Sequence, residues 1–403
     1  MKSSKLFFVF LIAMTSVLLV IACSSDSDDQ EVIKIGLLSP ITGPISQYAP
    51  GFADASDIAI AELNQVYGFG RPRGGGYEFE LITVDSGCDG TQAATAAQSL
   101  VDAGVVAIVG AACSGATLGA IAVAAPAGVP MVSYASTSPA ITTADDNGHL
   151  FRVVPSDAQQ AVALSVVVSD AGVSNPAVLY MTNDYGAGLS DNFELNWSDG
   201  LCTQVGYDPT EGSYDASTLA GSVVDGGCDS VVLMSYATDG AAILEALLAQ
   251  GFSGSVFGAD GVADATFQEA FSDVSALDRL VATRPRPGTA SNAKASFESA
   301  YAEAGGSDGA IYTNETYDAI KLVAAAVVSD LERAKGQYPD SDLLAALRKI
   351  GVNYNGASGV HTFDSAGDVL GTGYEVCQFA VAGTTVNFSC PTIWTADGGL
   401  SDG

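Results

Sequence analysis

Short apolar segments alternate with alanine-rich, helix-like segments along most of this chain. Each apolar segment ends in small or polar residues, and a helical pattern follows it. Strands that alternate with helices predict an α/β fold, in which mostly parallel sheets carry helices on both faces. The predicted strands are 32–38, Tyr77–Val84, Val105–Gly110, Pro130–Tyr134, Ala177–Met181, Ser230–Met234 and Ser255–Gly258, and the predicted helices include Thr91–Val101, Thr117–Ala127, Ala158–Ser169 and Ala241–Gln250.

Two further segments have patterns of their own. Tyr374–Phe379 and Ala382–Phe388 alternate around a glycine, which predicts a β-hairpin. The glycine-rich segment 68–76 predicts a loop or a hairpin tip. Its two arginines, Arg71 and Arg73, are candidates for an anion site, although charged residues of this kind are more often solvated.

The N-terminus has the pattern of an export signal. Two lysines precede the apolar run Leu6–Ile21, and a small residue stands directly before Cys23. This arrangement resembles the bacterial lipobox, so we expect residues 1–22 to be a lipoprotein signal peptide and Cys23 to be lipidated. A transmembrane anchor is the competing interpretation, but the run is short for a membrane span. The Ser/Asp-rich residues 23–30 would then be a flexible tether that holds the protein at the outer side of a membrane.

The charge balance excludes one class of partner. The chain has 46 acidic and 15 basic residues, a formal net charge of −31. Nucleic acid is therefore not an expected partner, because phosphate binding requires basic patches. The acidity fits a saline habitat or an ordinary acidic surface equally well.

The cysteines predict disulfides. Six remain after Cys23, and an even number in an exported chain allows 15 pairings. We expect neighbours in sequence to pair, since each bond would close a short loop and stabilise the fold by about 3 kcal/mol. Zinc is the alternative, but no CxxC spacing occurs and no histidine lies near a cysteine in sequence. The expected pairs are Cys88–Cys113, Cys202–Cys228 and Cys377–Cys390.

Enzyme signatures are absent from the sequence. It contains no nucleophile elbow, HExxH, Walker A or GxGxxG pattern. The two histidines, His149 and His361, are expected to be turn or surface residues. We therefore expect a protein that is not an enzyme, with no cofactor and no metal.

Candidate ligand-binding residues follow the predicted strands. In open α/β sheets, ligands bind beyond the carboxyl ends of the strands. Ser114 comes at the start of a helix, where a hydroxyl and backbone N–H groups can hold a carboxylate. It could equally be a simple N-cap. Thr137 and the carbonyl of Ala135 follow the next strand and could hold an ammonium and a carboxylate together.

The ordered set of strand-end motifs resembles a known family. The chain is similar to the leucine/isoleucine/valine-binding proteins, the periplasmic components of branched-chain amino acid ABC transporters, over about residues 32–375. The resemblance implies the type I periplasmic-binding-protein fold, with two α/β lobes joined by three crossovers. The matching stretches are Gly36–Pro44, Asp85–Asp89 with Cys113 and Ser114, Ser133–Pro139, Asp184–Leu189 and Gly258–Asp264.

The resemblance also implies roles for individual residues. Ser114 and Thr137 would bind a ligand carboxylate, whereas Ala135, Thr137 and Asp260 would bind its ammonium. Asp260 replaces the glutamate of leucine-type members, which leaves the ligand side chain open; it could instead be an N-cap. The tyrosines expected to wall the pocket, with core packing as the alternative for each, are Tyr48, Tyr185 and Tyr236.

The resemblance implies a two-lobed organisation and a solute-binding function. Residues 31–152 and 285–360 would form the first lobe, 153–284 and 361–392 the second, and 393–403 a C-terminal tail, with crossovers near Phe151–Pro155, Thr283–Pro287 and Gly359–Phe363. We expect a monomeric, lipid-anchored protein that captures an amino acid, with branched-chain amino acids included, and delivers it to an ABC permease. The alternatives are a sensor of the same fold with a signalling partner, and a ligand such as an amide, a urea or an aromatic acid.

Overall fold

A computed structural model of the chain describes residues 31–68, 76–288, 291–306, 310–333 and 343–403. The expected signal peptide, Cys23 and its tether lie outside these residues, and so do Arg71 and Arg73. Within the described ranges, no helix combines the length and the apolar character needed to cross a bilayer.

The first sheet contains five parallel strands in the order β2-β1-β3-β4-β5. Helices follow these strands because the loops after them end in residues that can cap a helix. Asp89 is an example, since its carboxylate accepts a hydrogen bond from the Gln92 N–H at 2.8 Å at the start of the helix Gly90–Asp102. The elements are β1 (Glu31–Ser39), α1 (Ala49–Tyr67), β2 (Tyr77–Asp85), α2 (Gly90–Asp102), β3 (Ala107–Val109), α3 (Ser114–Ala124), β4 (Met131–Ser133), α4 (Pro139–Thr142) and β5 (Leu150–Arg152).

The second sheet has eight strands, in the order β15-β14-β13-β10-β9-β8-β6-β7. Strands β6 to β10 are parallel to one another. Strand β13 pairs antiparallel with β10, β14 antiparallel with β13, and β15 antiparallel with β14. The elements that precede the return to the first lobe are α5 (Asp157–Asp170), β6 (Pro176–Met181), α6 (Asp184–Asn196), β7 (Thr203–Tyr207), α7 (Ala216–Gly226), β8 (Ser230–Met234), α8 (Ala237–Ala249), β9 (Ser255–Gly258) and β10 (Leu280–Pro285).

The rest of the chain completes both lobes. Helix α10 packs against α1 and against the strands β3 and β4, which places this segment in the first lobe. The elements are α9 (Asn292–Glu303), α10 (Thr313–Arg333), α11 (Leu343–Ile350), the small ribbon β11 (Tyr354–Asn355) and β12 (Val360–His361), and then β13 (Tyr374–Ala382), β14 (Thr385–Thr395) and β15 (Gly399–Asp402). The predicted α/β class, the alternation of strands and helices and the C-terminal hairpin are therefore confirmed.

Two boundaries differ from the expectation. The third crossover was expected near 359–363, but the chain still contacts the first lobe after these residues. Phe363 packs on Phe151, and Asp368 pairs with Arg152. The chain therefore crosses to the second lobe just before Tyr374, where β13 begins. The expected tail 393–403 is wrong, since these residues finish β14 and form β15 at the sheet edge.

The disulfides agree with the expected pairs, whereas His361 differs from its expected position. The three disulfides join the expected neighbours, which removes zinc as a partner for them. His361 is not a surface residue: its side chain is buried and its Nε2 lies 2.9 Å from the Ser358 hydroxyl and 3.3 Å from Asp318. Asp318 also accepts the backbone N–H groups of Ala357 and Ser358, so this cluster fixes the loop before β12.

Candidate functional site

The loops that follow the strands of both lobes meet around one narrow cavity of about 30 Å³. All seven residues singled out from the sequence line it, although they come from positions far apart in the chain. They are Tyr48, Ser114, Ala135, Thr137, Tyr185, Tyr236 and Asp260, and the further lining residues are Ile45, Phe52, Ala112, Gly261, Ile311 and Tyr312.

The first-lobe wall of the cavity contains hydroxyl groups and a helix start. Ser114 is the first residue of α3, and the N-cap position belongs to Cys113, so Ser114 is not the cap. Backbone N–H groups of a first helical turn have no partner within the helix, and they point out of its N-terminus. Thr137 faces the same region, and its buried hydroxyl has no hydrogen-bond partner among the described residues.

A dense hydrogen-bond network holds the loop that contains Ala135 and Thr137. The Ser136 hydroxyl lies 2.7 Å from the Thr117 hydroxyl. Arg152, which is fully buried, donates to the carbonyl oxygens of Ser136 and Ser138 at 3.2 and 2.9 Å. The loop is therefore fixed before any ligand arrives, which lowers the entropic cost of binding.

The second-lobe wall is built around a buried carboxylate. Asp260 opens a 3-10 turn directly after β9, and the N-cap of that turn is Ala259, so capping does not explain Asp260. Its carboxylate accepts hydrogen bonds from the hydroxyls of Tyr185 at 2.8 Å and Tyr312 at 2.7 Å. Burial raises the pKa of Asp260, and these two hydrogen bonds act in the opposite direction.

Tyrosine rings surround this carboxylate. Tyr185 and Tyr236 stack with a centroid distance of 5.2 Å and an interplanar angle of 6°. The Tyr185 hydroxyl also accepts the Gly261 N–H at 3.1 Å, and the Tyr48 hydroxyl donates to the Gly261 carbonyl across the cleft at 3.4 Å. The electron-rich faces of such rings favour a cation beside the carboxylate.

Tyr312 was missed by the sequence reasoning. It lies just before α10 in the first lobe with φ of +60°, and its hydroxyl reaches Asp260 in the second lobe. The neighbouring Ile311 N–H donates to Asp264 at 2.8 Å, a second link between the lobes. No local motif marks Tyr312, because its role depends on a carboxylate from a distant part of the chain.

Asp157, in the first turn of α5, was also missed. Its backbone N–H donates to the Thr137 carbonyl at 2.8 Å, so it adjoins the first-lobe loop. The carboxylate is fully buried beside the Thr137 hydroxyl, although neither oxygen is in full hydrogen-bonding geometry with a donor of the described residues. Burial, and then the charge of Asp260, raise the pKa of Asp157 well above its ordinary value, while Thr137 and Arg152 lower it.

One group of side chains in the described residues could in principle hold a metal ion, and it lies outside the cavity. In the described part of the chain, the side chains grouped closely enough to ligate a metal are Glu375, Cys377 and Cys390. The two cysteines are joined in a disulfide, which leaves no thiolate to act as a ligand. The cavity combines hydroxyls, a helix N-terminus, a carboxylate and aromatic rings.

Comparison with known proteins agrees with this geometry. The sequence profile of the periplasmic binding protein family matches residues 32–383. This chain belongs to that family. The expected resemblance and the expected fold are thereby confirmed, and so is the prediction that the protein is not an enzyme, because its relatives are solute-binding proteins.

Individual relatives give the same picture for this periplasmic binding protein. It is 25% identical over 349 residues to the Leu/Ile/Val-binding protein homolog 3 of Brucella melitensis, covering 86% of this chain and 91% of the relative. It is 25% identical over 353 residues to a leucine-, isoleucine-, valine-, threonine- and alanine-binding protein of Pseudomonas aeruginosa, covering 87% and 90%. The crystal structure of the leucine-binding protein LivK from Thermotoga maritima has a TM-score of 0.77 at 26% identity, covering 91% of this chain and 99% of that one.

Proposed function

We propose that this periplasmic binding protein captures an α-amino acid between its lobes and delivers it to an ABC permease. The observation that supports this most strongly is the pair of opposed walls in one cavity. The α3 N-terminus with Ser114 and Thr137 lies on one side, and the buried carboxylate of Asp260 lies on the other. A zwitterion has one group for each wall.

The carboxylate of the ligand fits the first-lobe wall. A helix N-terminus offers unpaired N–H groups and a partial positive charge, and the hydroxyls of Ser114 and Thr137 add donors. The ammonium fits the Ala135 carbonyl, the Thr137 hydroxyl and Asp260, with the stacked Tyr185 and Tyr236 rings alongside. Because both lobes contribute, binding favours the closed arrangement of the lobes.

The apolar residues of the cavity wall indicate which kind of ligand side chain would fit. Ile45, Phe52 and Ile311 provide an apolar surface, which suits an aliphatic side chain. The names of the relatives from Brucella melitensis and Pseudomonas aeruginosa include leucine, isoleucine and valine, so these are the first ligands to test.

Attachment to a membrane through Cys23 is part of the proposal. The pattern before Cys23 supports it, and a lipid there would keep a monomeric binding protein near the permease that it serves. Metabolic labelling with a radioactive fatty acid tests this directly. Label that persists on a Cys23→Ala variant would contradict the assignment.

Calorimetry with the twenty common amino acids tests the ligand class, with amides and aromatic acids as a comparison set. We expect binding of at least one aliphatic amino acid and a loss of affinity of about 100-fold or more in Asp260→Asn, because the variant leaves the buried ammonium short of a counter-charge. Asp208→Asn is the matched control. Asp208 is exposed and lies outside the candidate cavity, so this variant should keep the affinity within about twofold of the wild type. Binding of aromatic acids alone, or equal affinity in Asp260→Asn, would refute the proposal.

A further inference from the structure

We propose that Asp264 is a positioning residue for ligand capture, which draws the two lobes together without touching the bound solute. The proposal rests on the proposed function, because it concerns closure of the same cleft. Asp264 follows the buried turn Asp260–Val262 in the second lobe. In the described part of the chain it does not line the ligand cavity, so its influence on binding must pass through the residues that it holds.

The Asp264 carboxylate serves both lobes. Its Oδ1 accepts hydrogen bonds from the backbone N–H and the hydroxyl of Thr266 at 2.7 and 2.6 Å, which caps the 3-10 helix Ala265–Ala270 in the second lobe. Its Oδ2 accepts the backbone N–H of Ile311 from the first lobe at 2.8 Å. Asp264 is only 1% exposed, and an N–H bond to a carboxylate is about twice as strong as a bond between neutral groups. The contact with Ile311 is therefore a strong link between the lobes.

The first-lobe partner of Asp264 belongs to the wall of the ligand cavity. Ile311 and Tyr312 precede α10, and both line the cavity. The Tyr312 hydroxyl donates to Asp260 at 2.7 Å, so the second lobe holds this segment at two points. The Tyr312 contact depends on a group of the site itself, whereas the Ile311 contact does not. Asp264 therefore fixes the position of this wall independently of the groups that would meet the solute.

The bond between Asp264 and Ile311 acts on the closed arrangement alone. When the lobes are apart, water can pair with both groups, so the bond is not needed. When the lobes are together both groups are buried, and an N–H left there without an acceptor costs free energy. Loss of the carboxylate should therefore destabilise the closed arrangement relative to the open one. Because a solute escapes only after the lobes open, its dissociation should become faster.

The bond also lies at one side of the cavity. An outer compartment of about 240 Å³ adjoins the cavity there, and Tyr48 and Ile311 line both spaces. Asp264 lines the outer compartment, so its bond to Ile311 stands between that compartment and a bound solute. A solute enters the open arrangement, in which this bond is not yet made. Its association should therefore be unaffected by loss of the carboxylate, and the change in affinity should lie in dissociation.

Capping of the 3-10 helix alone does not require both oxygens of Asp264. Serine is about as good an N-cap as aspartate, because a cap needs one side-chain oxygen. In Asp264→Ser that oxygen can still accept the Thr266 N–H, but nothing replaces the oxygen that accepts the Ile311 N–H. This substitution therefore removes the link between the lobes and keeps the local role of the residue.

Stopped-flow kinetics tests the proposal with the amino acid that binds most tightly in the calorimetric panel, starting with L-leucine. Asp264→Ser should raise the dissociation rate constant about 10-fold or more and change the association rate constant less than about twofold. Asp264→Asn keeps the size of the side chain but offers one acceptor oxygen in place of two, so its dissociation rate constant should fall between those of Asp264→Ser and the wild type.

Asp273→Ser is the matched control. Asp273 is exposed and caps the next 3-10 helix, Val274–Arg279, by accepting the Ser275 N–H at 3.0 Å. The same substitution there changes a cap of the second lobe at a residue outside the cavity, so both rate constants should match those of the wild type.

The outcomes separate this proposal from the proposed function. An unchanged dissociation rate constant in Asp264→Ser and Asp264→Asn would overturn the proposal, while the proposed function stands. A lower melting temperature in Asp264→Ser with unchanged kinetics would show that Asp264 only caps its helix, and the proposal would again be wrong. Equal changes in the association and dissociation rate constants would point to damage of the cavity itself and would also refute it. A wild type that binds no amino acid of the panel would overturn both.

Discussion

Replacement of Arg152 by methionine tests whether the binding loop is held by a buried ion pair. Arg152 is fully buried, and its Nε and Nη2 donate to the Asp368 carboxylate at 2.7 and 2.8 Å. Its Nη1 donates to the carbonyl oxygens of Ser136 and Ser138. The pair therefore joins the binding loop to the segment that leads to the third crossing between the lobes.

The expected magnitude follows from what the substitution leaves behind. Asp368 would keep its charge with a side chain that is only 12% exposed, and two carbonyls would lose a donor. Removing one partner of such a buried pair costs about 3–5 kcal/mol of unfolding free energy. Arg152→Met should also weaken ligand binding, because the loop that holds Thr137 would be free to move.

Urea denaturation followed by circular dichroism measures the effect. The double variant Arg152→Met/Asp368→Leu removes both charges, so it should cost less than the sum of the single variants by about 0.5–3 kcal/mol. Lys294→Met is the control, because Lys294 pairs with the exposed Glu298 in an i,i+4 arrangement on a helix, and such a pair should contribute about 0.5 kcal/mol or less. A cost below about 1 kcal/mol for Arg152→Met, with unchanged ligand affinity, would refute this account of the loop.

Two further predictions concern pH and the disulfides. Burial raises the pKa of Asp239 to about 7, so the folded protein holds that proton more tightly than the unfolded chain between about pH 4 and 7. As pH falls from 7.5 to 5.5, Asp239 should therefore add about 2 kcal/mol to the unfolding free energy. Denaturation curves of Asp239→Asn across this range should lack that share of the pH dependence, and an unchanged dependence would contradict the prediction. Replacing Cys202 and Cys228 together by serine should lower the unfolding free energy by about 3 kcal/mol under non-reducing conditions, because the variant lacks the disulfide. The difference should vanish when the wild type and the variant are both reduced, and a difference that persists would show another cause.

The sequence predicted the parts of the fold whose patterns are local. Apolar runs such as Ser230–Met234 became fully buried parallel strands, and the helices between them followed. Strand β7 was missed because its alternating polar residues lie half exposed at a sheet edge. Strand β15 was missed because its four residues, Gly399–Asp402, have no alternating apolar pattern and are ordered by pairing with β14.

The candidate site was predictable only where a residue follows a recognisable strand end. The seven residues named from the sequence line the cavity because each lies at such a position. Asp157 has the local pattern of an ordinary acidic residue in a first helical turn, and its significance comes from Thr137 and Asp260 in distant segments. Tyr312 was missed for the same reason, since only the closed arrangement of the lobes brings its hydroxyl to Asp260.

The position of β13 determines when the second lobe can be completed. This strand, Tyr374–Ala382, lies inside the sheet between β10 and β14, yet it is synthesised only after α9, α10 and α11, which intervene between it and β10. Until it emerges from the ribosome, β10 remains an open edge and the lobe cannot reach its final stability. Such a delay suits a family that works in the periplasm, because a chain that folds late can still be threaded through a membrane pore.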